Sequence, residues 1–116
     1  MVKIKPGVQF TKISASGYVI LEAIKRTSKF LNIDLTITSA CEGIHSGLTD
    51  PHYLGEAYDV RSKDLDDKQI ILDHIMSILD KDRFYSSLES PGTMNEHFHI
   101  QRKRNTIFTI EEFLAE

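Results

Sequence analysis

One cysteine in 116 residues rules out an internal disulfide framework, so stability has to come from packing and, where ligands converge, from a metal. Cys41 itself reads either as a small buried hydrophobe or as a fourth soft ligand, and the first is the commoner fate of a lone thiol. No apolar stretch approaches the roughly 20 residues that cross a bilayer, and the opening Met1-Val2-Lys3-Ile4-Lys5-Pro6-Gly7 carries charge without a signal-peptide core. The expectation is a chain made in the cytoplasm, with no signal peptide and no membrane insertion. Excess positive charge is also missing, since the net charge is −3, and nucleic acid is not an expected partner. The basic run Arg102-Lys103-Arg104 reads as a solvated turn. Internal repeats and linkers are absent as well, which leaves a single domain over residues 1–116, expected to be a monomer.

What is there points to an α+β domain, a small antiparallel sheet with helices packed on it. Residues 1–15 are broken by Pro6-Gly7 and read as an extended arm or an edge segment. Val19, Ile20, Ala23, Ile24, Thr27, Phe30 and Leu31 recur at helical spacing behind the capping candidates Ser14 and Ser16, predicting a helix over 17–31. The β-branched alternation Leu35-Thr36-Ile37-Thr38-Ser39 predicts a strand. A second helix is expected over 66–81, with Ile70, Ile71, His74, Ile75, Ile78 and Leu79 on one side. Asp64, Asp66 and Asp67 before it complement the helix dipole, or form a weak calcium site. Strands over 84–88 and 97–101 flank a turn at Glu89-Ser90-Pro91-Gly92, and Thr109 caps a short terminal helix over 110–115.

Two stretches carry chemistry. In His52-Tyr53-Leu54-Gly55-Glu56-Ala57-Tyr58-Asp59, an extended backbone puts Gly55, Ala57 and Asp59 on one side, so a carboxylate stands beside two nearly absent side chains. Such a gap suits an ion. Tyr58 then faces the other way and is expected to pack with its hydroxyl at the surface, while Tyr53 stays open between packing and substrate contact. In Glu96-His97-Phe98-His99 the two histidines share a face and Phe98 takes the packed one. Two imidazoles and one carboxylate, His52, Asp59 and His99, are good zinc ligands, and three protein ligands leave a position for water, as in catalytic zinc sites. All three are expected on strands or strand ends of one sheet. Glu96 is the nearest general base in sequence. Strand alternation would point it away from His99, so a turn at Asn95-Glu96 is expected to swing it back over the metal.

The pattern HxxGxAxD at 52–59, followed by ExxH with an overlapping HxH at 96–99, resembles the zinc D,D-peptidases across residues 36–101. That family includes D-alanyl-D-alanine carboxypeptidases, D,D-dipeptidases and phage L-alanyl-D-glutamate endopeptidases of endolysin type, with the hedgehog signalling domain as a relative. The resemblance implies one Zn²⁺ on His52, Asp59 and His99, Glu96 as base, and peptidoglycan stem peptides of the cell wall as substrate. It further implies that His45 and His97 flank the metal and stabilise an oxyanion, and that the enzyme reaches the wall by export, lysis or carriage in a virion.

This chain departs from the family where many exopeptidases keep a Tyr-Arg pair that grips the substrate's terminal carboxylate. Its run is Thr38-Ser39-Ala40-Cys41-Glu42-Gly43. An acidic Glu42 there would repel such a carboxylate, favouring endopeptidase action or anion recognition by Arg61 or Arg102. The hedgehog-like branch also carries its glutamate farther upstream, where this chain has Thr93, which makes Glu89 the reserve base. The rival expectation is a zinc-containing module that binds wall or protein partners without turnover.

Overall fold

In the computed structural model, which describes residues 1–42, 51–52 and 54–104, the first helix, α1 (Ala15–Leu31), starts where the Ser14 hydroxyl accepts the Gly17 amide hydrogen at 3.1 Å. It stops at Asn32, whose left-handed backbone (φ 54°) ends the helical hydrogen bonding. Ile20, Ala23, Ile24 and Thr27 form its buried stripe as the spacing predicts. Phe30 does not join them: it is 75% exposed and stacks on His74 of the second helix, 4.6 Å between ring centres. His74 is a packed histidine, half-buried and sharing a 2.8 Å hydrogen bond with the Thr27 hydroxyl.

That second helix, α2 (Lys68–Ile78), is shorter than its periodicity suggests. Beyond it Asp80 takes over the backbone, its carboxylate accepting from the Asp82 amide and pairing with Arg83, while its carbonyl accepts from the Phe84 amide. Such local side-chain bonds compete with helix continuation.

The strands are β1 (Val2–Ile4), β2 (Leu35–Ser39), β3 (Ala57–Arg61), β4 (Phe84–Glu89) and β5 (His97–Arg102), in the order β1-β2-β3-β5-β4. The domain is α+β, with two helices and five strands among the described residues. The sheet is mixed rather than antiparallel. β1 pairs in parallel with β2, Val2 opposite Leu35, while every other pairing is antiparallel. Parallel neighbours need a long crossover, and α1 supplies it. Three residues of strand were too short a signal for this in the sequence.

Register sorts the residues into two faces. Val60, Phe98 and Leu88 lie in one row across β3, β5 and β4, and with Tyr58 and Ile100 they turn toward the helices, where the core sits. On the opposite, open face the rows are Arg61-His97-Glu89, then Asp59-His99-Ser87, then Ala57-Gln101-Tyr85. Polar residues therefore line a surface that neither α1 nor α2 covers.

Cys41 is buried and its thiol donates to the Lys12 carbonyl. His45, Tyr53 and the helix expected over 110–115 lie outside the described residues.

Candidate metal centre

Asp59 and His99 face one another across β3 and β5, and the His99 Nδ1 lies 2.8 Å from Asp59 Oδ1. His52 completes the group, with Nε2 3.4 Å from the same oxygen. One ligand atom from each of the three falls within 4.8 Å of the others, and this partly buried group could hold a metal ion. Among the described residues it is the one such grouping. Asp64, Asp66 and Asp67 assemble none, and Cys41 is not part of it.

His52 does not sit on a strand, contrary to expectation. It lies in a turn, closed by the Gly55 amide donating to the His52 carbonyl at 3.1 Å. What fastens it to the sheet is its Nδ1–H, which donates to the Ala40 carbonyl just beyond β2 (2.8 Å). Gly55 also has a different purpose from the one read in the sequence. Its φ of +70° belongs to a turn, and a Cβ there would come within 2.2 Å of the Lys12 carbonyl oxygen. The missing side chain makes room for backbone, not for an ion. The Gly55 carbonyl then accepts from the Ser14 hydroxyl (3.0 Å) and the Tyr58 hydroxyl (3.1 Å), tying the motif to the start of α1. Tyr58 is accordingly fully buried, hydroxyl included, rather than wet at its tip.

Proton positions in the centre follow from the partners. A carbonyl can only accept, so His52 must carry its hydrogen on Nδ1. His99 Nε2 lies 2.6 Å from the Gln101 side-chain oxygen, whose amide nitrogen in turn donates to the Arg102 carbonyl, so His99 carries its hydrogen on Nε2. The other two ring nitrogens, His52 Nε2 and His99 Nδ1, both point at Asp59. In neutral imidazoles they present lone pairs to a carboxylate. That arrangement is satisfied by two further protons or by one cation held in common. A carbonyl-type acceptor behind each ligating histidine is the usual way to set tautomer and ring orientation at a metal.

The electrostatics describe the protonated alternative. Burial would raise the Asp59 carboxyl, but hydrogen bonds from protonated His52 and His99 outweigh it and hold the pKa well below the usual carboxylate range. Burial would likewise lower His52 and His99, yet the bond to Asp59 raises both. The added protons balance the carboxylate, the part that one shared cation would take.

His97 stands beside the group. Its Nδ1–H donates to the Asn95 carbonyl (2.7 Å), which turns Nε2 toward Glu89 Oε1 at 3.2 Å and Asp59 Oδ2 at 3.8 Å. Glu96 is elsewhere. A turn does precede it, closed by the Glu96 amide on the Thr93 carbonyl, but the carboxylate is not swung over the triad. It accepts from Lys68 Nζ (2.6 Å), the Ser62 hydroxyl (2.8 Å) and the Gly92 amide (3.1 Å), at the start of α2. Glu96 is only 6% exposed, and a buried carboxylate requires such partners. Lys68, the Gly92 amide and Ser62 together hold its pKa down to about 2.

Glu42 is also occupied. Its carboxylate accepts from the Gln9 and Ala40 amides at 3.0 Å each, bonds that lower its pKa although burial alone would raise it. Gln101 was missed in the sequence, yet the signal existed, because HxHxQ at 97–101 puts all three side chains on one strand face.

No protein-family model, curated protein or solved structure matches the chain.

Proposed function

We propose that the protein is a zinc-dependent peptidase of the hedgehog and D,D-peptidase type, hydrolysing peptide bonds in peptidoglycan stem peptides as a cell-wall endopeptidase. The observation that carries this reading is the tautomer pattern: both histidines spend their far nitrogen on a carbonyl-type oxygen and aim the near one at Asp59. His52, Asp59 and His99 would hold the ion, two nitrogens and one oxygen, the donor set zinc favours. When bound, zinc supplies Lewis acidity toward a scissile carbonyl and a water acidic enough to react near neutral pH.

The chain's own part is proton handling and positioning. Glu89 is the carboxylate on the open face beside His97, and it takes the place first given to Glu96 as proton acceptor. His97 Nε2, turned by the Asn95 carbonyl toward Glu89 and Asp59, can receive the proton that Glu89 takes from water and pass it to a leaving amine. His45, outside the described residues, keeps the oxyanion-stabilising role that the resemblance implies. No helix among the described residues is long and apolar enough to cross a membrane, and action on the wall would follow export, lysis or virion carriage.

The second reading is a zinc module that binds wall or protein partners without turnover. It is favoured by one fact, that the glutamate of the ExxH motif is committed to Lys68. Incubation of the zinc-loaded chain with purified muropeptides, read by mass, separates the two. Cleaved stems that disappear with chelator and return with zinc support the peptidase; tight zinc binding with intact stems leaves only the module.

A further inference from the structure

Beside the triad the open face sinks into a groove of about 300 Å³, whose walls include Asp59, His97 and Glu96, the last already paired with Lys68, together with Lys5, Arg61 and Lys63. None of these three cations has an ion pair or side-chain hydrogen bond among the described residues. Arg61 is half-buried, and its guanidinium keeps contact with solvent and so stays open to a ligand. Arg102 differs: it is paired with Glu56 at 3.2 Å and is already engaged.

The row Arg61-His97-Glu89 crosses the sheet directly beside the row that holds Asp59 and His99. Positive charge therefore stands on its β3 end and negative charge on its β4 end. Along β3, Arg61 lies two residues beyond Asp59, roughly 7 Å at strand rise, which is about two residues of an extended peptide. Glu42, the one acidic side chain that seemed set to repel an anion, is bonded to backbone amides.

From this we infer that the groove is a carboxylate-recognition subsite, in which Arg61, supported by Lys63 and Lys5, receives an acidic group on the peptide within a residue or two of the scissile bond. The inference rests on the peptidase reading and deepens it. It gives the substrate a class, an acidic peptide, and an orientation, with its carboxylate toward β3 and away from Glu89. A planar guanidinium suits this task because it can meet a carboxylate with two parallel hydrogen bonds.

The test uses two stem peptides identical except that the glutamate α-carboxylate is free in one and amidated in its twin. Zinc-loaded wild type should cleave the free acid with kcat/KM about tenfold higher, the factor expected for a charge-assisted hydrogen bond of roughly 1.4 kcal/mol. Arg61→Gln should bring the acid down to the level of the amide and leave the amide nearly unchanged. Lys5→Gln/Lys63→Gln, a double variant, should remove part of the preference and keep the fold, as checked by circular dichroism. Equal rates for the twins, or equal losses for both in Arg61→Gln, overturn the subsite. If neither twin is cleaved the peptidase reading fails by itself, and calorimetric binding of the same twins, with and without zinc, still decides the subsite. Tighter binding of the acid that Arg61→Gln abolishes upholds it, and equal binding sinks it.

Discussion

β5 turns Phe98 and Ile100 to its covered face and His97 and His99 to its open face, and Glu96, just before the strand, is treated differently from those histidines. Glu96 is paired by Lys68, Ser62 and the Gly92 amide. On the open face His97 and His99 keep ring nitrogens directed at Asp59 and Glu89. A carboxylate matched by an ammonium is already satisfied, whereas ring nitrogens aimed at carboxylates can be left for a ligand. The lesson concerns sequence motifs: the glutamate of ExxH lines the same groove as His97, yet its carboxylate is already held by Lys68, Ser62 and the Gly92 amide.

The contrast can be broken most forcefully at Phe98. Phe98→Ala removes a ring fully buried in the core and should cost about 3–5 kcal/mol in urea unfolding, whereas His97→Ala next door should cost little. Comparable losses at the two positions would mean that the open face is as integral to the core as the covered one.

Next in size is the pair of glutamates. Glu89→Gln should lower kcat on muropeptides by about 100-fold or more while zinc content stays at one per chain. Glu96→Gln should leave both within a small factor of wild type. Reversed results would restore Glu96 as the base.

Behind His99, Gln101→Ala removes the acceptor that sets its tautomer and should weaken zinc binding about tenfold in competition with a chromophoric chelator. No change would show that the ring is oriented by Asp59 alone.

The smallest effect is a change of shape in acid. Because the folded pKa of Glu96 is depressed from 4.5 to about 2, its contribution to stability is complete above 4.5 and fades as the pH falls toward 2. Glu96→Gln should therefore be less stable than wild type at pH 6, by a few degrees of melting temperature, and converge with it toward pH 2. A constant gap across that window would assign the loss to packing rather than to charge.

Much of this was legible beforehand. Period-two alternation put Asp59, His97 and His99 on one face and Phe98 on the other, and helical periodicity found α1 and its stripe. The parallel β1 was not legible, since three residues do not declare a partner, and neither was the placing of His52 in a turn. Gly55 misled for a similar reason. Its importance was visible, but the atom it makes room for, the Lys12 carbonyl, belongs to a distant part of the chain.

Residue order by itself determined the donor set and its sidedness, because alternation along a strand is a local property of the backbone. Which carboxylate would be free to react was decided only by tertiary structure. Glu89 and Glu96 are chemically alike, and they differ in that α2 brings Lys68 against Glu96 whereas β5 brings His97 against Glu89. Local geometry chooses the face; only packing of separate elements chooses the neighbour.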